Sequence, residues 1–278
     1  MKFEGRVAFI TGASRGIGKA LAVGLAREGC DIVIASKSTE STEALPGSIH
    51  DTAKEIEALG RKALPIRVDV RRDAMVEEAV AEAIDKFGHI DFLINNAGAL
   101  HWRSMLDTPM KRFDLVMGVN ARGAFSCSRA VLPHMIEAGY GHILMMSPPV
   151  LPEGAGGKIA YSISKLGMTL IAHGLAAEVR DKNVACNALW PATLIESAAT
   201  INHNLGGPAM WRKPAILVDA VLELFAMKPS EISGQALIDE EFLRDKGITD
   251  FTGYRCDPES EPPRIGFDFK LEAGKISG

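Results

Sequence analysis

Short apolar or β-branched runs recur along the chain and alternate with longer segments in which apolar residues return every three or four positions. The runs RVAFIT (6–11), DIVIAS (31–36), ALPIRV (63–68), DFLIN (91–95), HILMMS (142–147), NVACNALW (183–190) and QALID (235–239) predict strands. The longer periodicity predicts helices over 16–28, 49–59, 73–87, 110–138, 159–180 and 214–227. Alternation of this kind implies βαβ crossovers. The expected architecture is therefore α/β: a doubly wound parallel sheet of about seven strands, buried by helices on both faces. Two stretches break the pattern. The polar loop KSTESTEALPGS (37–48) follows the second strand, and the Pro-rich, charged tail GYRCDPESEPPRIG (253–266) is expected to wrap the surface or a neighbouring subunit. With no repeat or low-complexity linker, one domain over 1–278 is expected, its core near 5–240 and an extension over 241–278.

Composition narrows the function classes. The 278 residues are 47% hydrophobic and 24% charged, enough apolar material for a large core. The formal net charge is −4 and the cations are scattered, so neither nucleic acid nor an anionic membrane is an expected partner. Cys30, Cys127, Cys186 and Cys256 are far apart, with no CxxC pair and no histidine in ligand register. That spacing points to reduced thiols in a cytoplasmic setting, without disulfides or a bound metal. No leader pattern opens the sequence and no apolar run reaches 18 residues, so neither export nor membrane insertion is expected.

Candidate chemistry begins where the first strand ends, in TGASRGIG (11–18). Glycines at 12, 16 and 18 allow a tight turn and let backbone N–H groups and a helix N-terminus approach a pyrophosphate, although the same residues can serve merely as a turn. The spacing is GxxxGxG, not the common GxGxxG. Further on, YSISK (161–165) sets Tyr161 and Lys165 four apart, on one face of the predicted helix. A lysine there would favour phenolate and draw the tyrosine toward a range useful for proton transfer, although this pair taken alone reads first as a solvated lysine one turn from an interfacial tyrosine.

Together these motifs resemble the short-chain dehydrogenase/reductase family, over about residues 5–240. TGASRGIG resembles its glycine motif and NNAG (95–98) the motif closing its fourth strand, while Asn120, Ser147, Tyr161 and Lys165 fall in the order of its catalytic tetrad. SPP (147–149), NARG (120–123), ALWP (188–191) and IDEEFL mark a narrower branch. The resemblance implies a Rossmann-type fold and hydride transfer between a nicotinamide and a secondary alcohol or ketone. In that scheme Tyr161 is the acid/base, Lys165 lowers its pKa and binds the nicotinamide ribose, Ser147 hydrogen-bonds the substrate oxygen, and Asn120 holds a helix kink and a proton-relay water. Taken singly, Ser147 could be a strand-end turn residue and Asn120 a polar helix residue. The Pro148–Pro149 pair after the serine departs from the common pattern and puts serine placement in question.

The implied cofactor contacts are Gly12, Ser14, Arg15, Gly16, Ile17 and Gly18 in the glycine loop, Asp69 and Val70 at the adenine, and Asn96, Ala97 and Gly98 along the cleft. Tyr161, Lys165 and Pro191 complete them, with Ala192 where a glycine usually follows. At the end of the second strand a carboxylate would select NAD, but the chain has Ser36 and Lys37, with Arg15 nearby. This favours NADP (NADPH) over NAD, unless the two cations are ordinary surface charges. The segment 193–213 occupies the substrate-loop position; it could equally pack on itself. The expected substrate is a small carbonyl or alcohol, with a lipid-like one among the candidates, and the expected assembly a homodimer or homotetramer. The rival reading is a nucleotide-sensing binding protein of the same fold. The unit is expected to lack an appended sterol-carrier domain, and KISG is no peroxisomal address.

Overall fold

The computed structural model describes residues 1–43, 45–151 and 154–265. It runs through β1 (Val7–Thr11), α1 (Gly16–Arg27), β2 (Asp31–Ser36), α2 (Ile49–Ala58), β3 (Ala63–Arg67), α3 (Asp73–Phe87) and β4 (Phe92–Asn95). The second half carries α4 (Met110–Met117), α5 (Gly123–Ala138), β5 (Gly141–Met146), α6 (Ile159–Glu178) and β6 (Val184–Trp190). Two short strands, β7 (Leu194–Ile195) and β8 (Trp211–Arg212), flank α7 (Ala198–Asn202). Then follow α8 (Ala215–Phe225), β9 (Ala236–Ile238) and α9 (Asp239–Asp245).

A seven-stranded parallel sheet has the order β3-β2-β1-β4-β5-β6-β9. Strand residues alternate between two cores because successive side chains leave opposite faces. Ala8, Ile10, Ile32 and Ile34 meet α1, α2 and α8, whereas Val7, Phe9 and Val33 meet α3, α5 and α6. This double burial explains why the strands read as continuous apolar runs rather than alternating ones. Strand order reverses at β1, which pairs with β2 on one side and β4 on the other. The loops leaving β1 and β4 therefore part over a crevice at the carboxyl end of the sheet, the usual place for a ligand in this architecture.

The predicted helix over 110–138 is broken. A π-helical turn, Gly118–Arg122, separates α4 from α5 and has Asn120 at its centre. Hydrophobic periodicity does not register such a turn because the apolar stripe continues through it. Sequence periodicity also missed α9, a single amphipathic stretch of seven residues. The predicted tail folds back on its own chain, at least as far as residue 265; residue 266 and the KISG terminus lie outside the described residues. Arg212, 1% exposed, lies 2.9 Å from Glu240 and donates at 2.7 Å to Glu261 of the tail. Arg255 also pairs with Glu261, and Arg264 pairs with Glu241 at 2.7 Å. Buried charges persist only where partnered, so this network ties the tail to β8 and α9. Among the described residues, no helix is long and apolar enough to cross a membrane.

Candidate active site

At the crevice, β1 ends in Gly12, whose φ of +69° would strain any other residue. A Cβ there would also stand 2.9 Å from Ala97 Cα, and one at Gly18 would stand 2.4 Å from both Asn96 Nδ2 and Gly12 O. The glycines thus let the β1–α1 loop close onto the β4 loop. Asn96 secures that contact by donating from Nδ2 to Thr11 O (3.0 Å) and Gly12 O (3.2 Å). Thr11 Oγ1 accepts the N–H groups of Asn96 and Ala97, both at 3.0 Å. No side chain caps α1, so its first turn faces the cleft with uncapped N–H groups. An uncapped helix start beside a glycine cradle fits a pyrophosphate.

Most of the sequence-predicted cofactor residues share this cleft. Gly12, Ser14, Arg15, Gly16, Ile17 and Gly18 form one side, and Ser36 closes the end. Asn96, Ala97 and Gly98 line the other side, with Tyr161 and Lys165 above. Arg15 does not hang free: it donates to the carbonyls of Leu45, Pro46 and Gly47 and pins the 37–48 loop over the cleft. Ser36 Oγ donates to Ser14 Oγ at 3.2 Å. Lys37, Asp69 and Val70 do not line the cleft. Lys37 is exposed, and Val70 packs against Gly123. Arg71 grips the Asp69 carboxylate through Nε (2.9 Å) and Nη2 (2.6 Å), which holds its pKa down at about 2.

The tetrad residues converge at α6. Asn120 Oδ1 accepts from Ala99 N–H at 2.7 Å, and Nδ2 donates to Ala99 O (3.0 Å) and Ser164 Oγ (2.9 Å). The π turn therefore ties the β4 loop to the helix bearing Lys165. Lys165 is 6% exposed, and its Nζ donates to Met146 O at 2.8 Å and lies 5.9 Å from the Tyr161 ring centroid. Burial pushes Lys165 down to about 8. Sequence reasoning expected Lys165 to draw the Tyr161 phenol down; instead burial pushes the phenol well up, because desolvation outweighs a cation at that distance.

Ser147 departs from its expected role. Its hydroxyl donates to Lys165 O at 2.8 Å and accepts from Thr169 Oγ1 at 3.2 Å, which in turn accepts from Trp190 Nε1 at 3.2 Å. A serine has one proton, and the acceptors within its reach here are Lys165 O at 2.8 Å and Pro148 O at 3.4 Å. Pro148 and Pro149, which follow directly, present no donor to the adjoining substrate cleft they line.

That cleft continues from Tyr161 between Pro148, Pro149, Leu194, Ile195 and Leu205, with Pro191 at its floor. The 193–213 segment does both things the sequence left open: Leu194, Ile195 and Leu205 face the cleft, while Trp211 is buried and donates to Leu205 O at 2.8 Å. Among the wall residues that sequence reasoning did not assign are Lys158, three before Tyr161, Ile265 from the tail, and Trp102, a candidate that the sequence offered without a role. The tail also helps fix Ala192. Its N–H donates to Asp239 Oδ1 at 2.8 Å and its carbonyl accepts from Ile265 N–H at 2.7 Å. Burial raises the Asp239 carboxyl to about 6.

The family model of the short chain dehydrogenases matches residues 6–204, a span that holds the cleft except for Leu205, Leu217 and Ile265 on its walls and Asp239 beside Ala192. The chain belongs to this family. It is 44% identical over 262 residues to hydroxysteroid dehydrogenase-like protein 2 of Danio rerio and of Homo sapiens, covering 92% of this chain and 62% of theirs. The chain thus spans about three fifths of the length of these curated relatives. A crystal structure of a candidate dehydrogenase from Xanthomonas campestris superposes with a TM-score of 0.91 at 43% identity, covering 98% of this chain and 100% of that one. A short chain dehydrogenase from Mycobacterium paratuberculosis bound to NAD superposes with a TM-score of 0.74 at 25% identity, covering 86% and 97%.

The geometry of Ser147 separates two roles by measurement. If it buttresses α6, Ser147→Ala lowers unfolding free energy by about 1 kcal/mol and turnover by only a few fold. Loss of an oxyanion donor would instead lower turnover by about 10²- to 10³-fold. Denaturant unfolding together with steady-state turnover by the variant decides between them.

Proposed function

We propose that this chain is an NADP(H)-dependent oxidoreductase that interconverts a secondary alcohol and a ketone, with Tyr161 as acid/base. The observation that carries the reading is the juxtaposition, in one cleft, of a buried Lys165 lacking any carboxylate partner among the described residues with the phenol of Tyr161. The raised phenol pKa leaves Tyr161 protonated at neutral pH, the form that donates a proton during carbonyl reduction. Lys165 and Asn120 would orient the ribose end of the cofactor, and the α1 N-terminus would hold its phosphates. A bound nicotinamide supplies or accepts the hydride. One observation favours the second reading, a nucleotide-sensing binding protein with little turnover: the Ser147 proton is engaged elsewhere.

NADPH preference is supported by charge. Among the described residues no carboxylate lines the nucleotide cleft, Ser36 ends β2, and Arg15 is fixed over the site by the 45–47 carbonyls. A single residue's grip on the 2′-phosphate is the expected arrangement, since Lys37 lies outside the lining. A homodimer or homotetramer is supported by apolar side chains on α5 and α6 that face outward: Phe125, Ile163, Leu166 and Leu170. In this reading the one domain, its C-terminal extension included, performs the reaction.

Three results are expected. With NADPH and a panel of carbonyl compounds, the protein turns over at least one, and Tyr161→Phe retains NADPH affinity while losing at least about 100-fold in kcat. Tight NADPH binding without turnover of any carbonyl would support the sensor instead. NADPH binds roughly 30-fold more tightly than NADH at low salt, and Ser36→Asp inverts the order; equal dissociation constants overturn the nucleotide assignment alone. Sedimentation at micromolar concentration shows a dimer or tetramer, and a purely monomeric species would refute the assembly.

A further inference from the structure

Lys158 precedes α6 and stands on the wall of the substrate cleft beside Trp102 and Tyr161. Its Nζ lies 4.9 Å from the Trp102 ring centroid, and that ring meets the Tyr161 ring edge-on at 6.0 Å. The ammonium and the phenol therefore share one side of the cleft, bridged by the indole. Among the described residues the Lys158 ammonium makes no hydrogen bond or ion pair, and no aspartate or glutamate lines the cleft. Burial alone lowers its pKa, with no neighbouring charge offsetting the effect. A second donor in the same wall is also unanswered: the buried Nε1–H of Trp102 has no acceptor. Pro149, Val150, Leu194, Ile195 and Leu205 form an apolar stretch of the wall, beside the hydroxyl-bearing Ser197 and Thr200.

A partly desolvated cation without a counter-ion is unfavourable in the free protein and becomes favourable when an anion reaches it. We propose that the cleft takes an amphipathic carboxylic acid, whose carboxylate binds Lys158 while its apolar chain lies against the proline and leucine walls. The carboxylate must then sit only a few bonds from the carbon that reacts at Tyr161, because the Lys158 ammonium (4.9 Å) and the Tyr161 ring (6.0 Å) flank the same Trp102 ring. A 3-hydroxy or 3-oxo acid has that spacing. The inference rests on the reading of this cleft as the site of alcohol–ketone interconversion, and it adds the chemical class of substrate.

The test compares 3-hydroxydecanoate with its methyl ester, each oxidised to the 3-oxo compound as NADP+ is reduced. Wild-type protein is expected to favour the acid by about 30-fold in kcat/KM, chiefly through KM, as one charge-assisted contact permits. In Lys158→Met the ratio of acid to ester falls toward one, and in Lys158→Arg it is retained. Equal use of acid and ester by the wild type, or equal losses on both in Lys158→Met, overturns the proposal while leaving hydride transfer intact. If neither compound turns over, calorimetry of decanoate binding to the NADP+-loaded protein decides the matter. Binding weakened about 30-fold by Lys158→Met supports carboxylate recognition even as the enzymatic reading falls, whereas no binding, or binding unaffected by the substitution, overturns it. Should Lys158→Met lose cofactor affinity through misfolding, Lys158→Gln replaces it in both arms.

Discussion

Lys165 places an ammonium among Met146, Met168 and the Tyr161 ring, with no carboxylate in ion-pair reach among the described residues. Desolvating a cation in this way costs several kcal/mol before compensation, so its surroundings must be held rigidly enough to return part of that cost. They are. The side chain binds the carbonyl of Met146 at the end of β5, and the main-chain carbonyl of the same lysine accepts the Ser147 hydroxyl. One residue is thus stapled to the strand end from both its backbone and its tip. Asn120 adds a third tie through Ser164, the preceding residue on α6. The π turn follows from this requirement, since it presents Asn120 to Ala99 and Ser164 at once.

The same staple accounts for Ser147. A serine immediately after β5 can reach either into the cleft or back to the helix, and the Thr169–Trp190 chain behind it completes the inward arrangement. Pro148 and Pro149 contribute by occupying the following positions with residues that offer no N–H. Tyr161 faces the cleft beside Ser147 and Lys165, and its environment keeps the phenol proton on.

Much of the fold was legible because strands buried on both faces must be apolar throughout and their covering helices must carry a stripe. Ile32, Val33 and Ile34 announce β2 whatever else the chain does. The glycine loop, Asn96 and the Tyr161–Lys165 pair were equally readable, since each depends on a local spacing that the sequence displays. What escaped depends on direction or on distant partners. No spacing shows which way the Ser147 hydroxyl turns, that Arg71 captures Asp69, or that Arg15 is held by the 45–47 carbonyls. The lowered phenol pKa failed for the same reason: i,i+4 spacing gives proximity, but burial, which the spacing does not report, set the sign.

The parts of the cleft outside the family match follow from the way α/β folds divide labour. Residues 6–204 supply six of the seven sheet strands, the glycine-loop crevice and the residues Asn120, Ser147, Tyr161 and Lys165. Beyond them, Arg212 and Glu240 anchor a tail that reaches back to the floor of the substrate cleft. There Ile265 and Asp239 clamp Ala192 from opposite sides, one on its carbonyl and one on its N–H. A segment clamped in this manner needs no glycine, because its backbone is held by two partners and not by a special torsion. The position after Pro191 can therefore carry a methyl group, and the shape of the cleft there is set by the extension as much as by the common core.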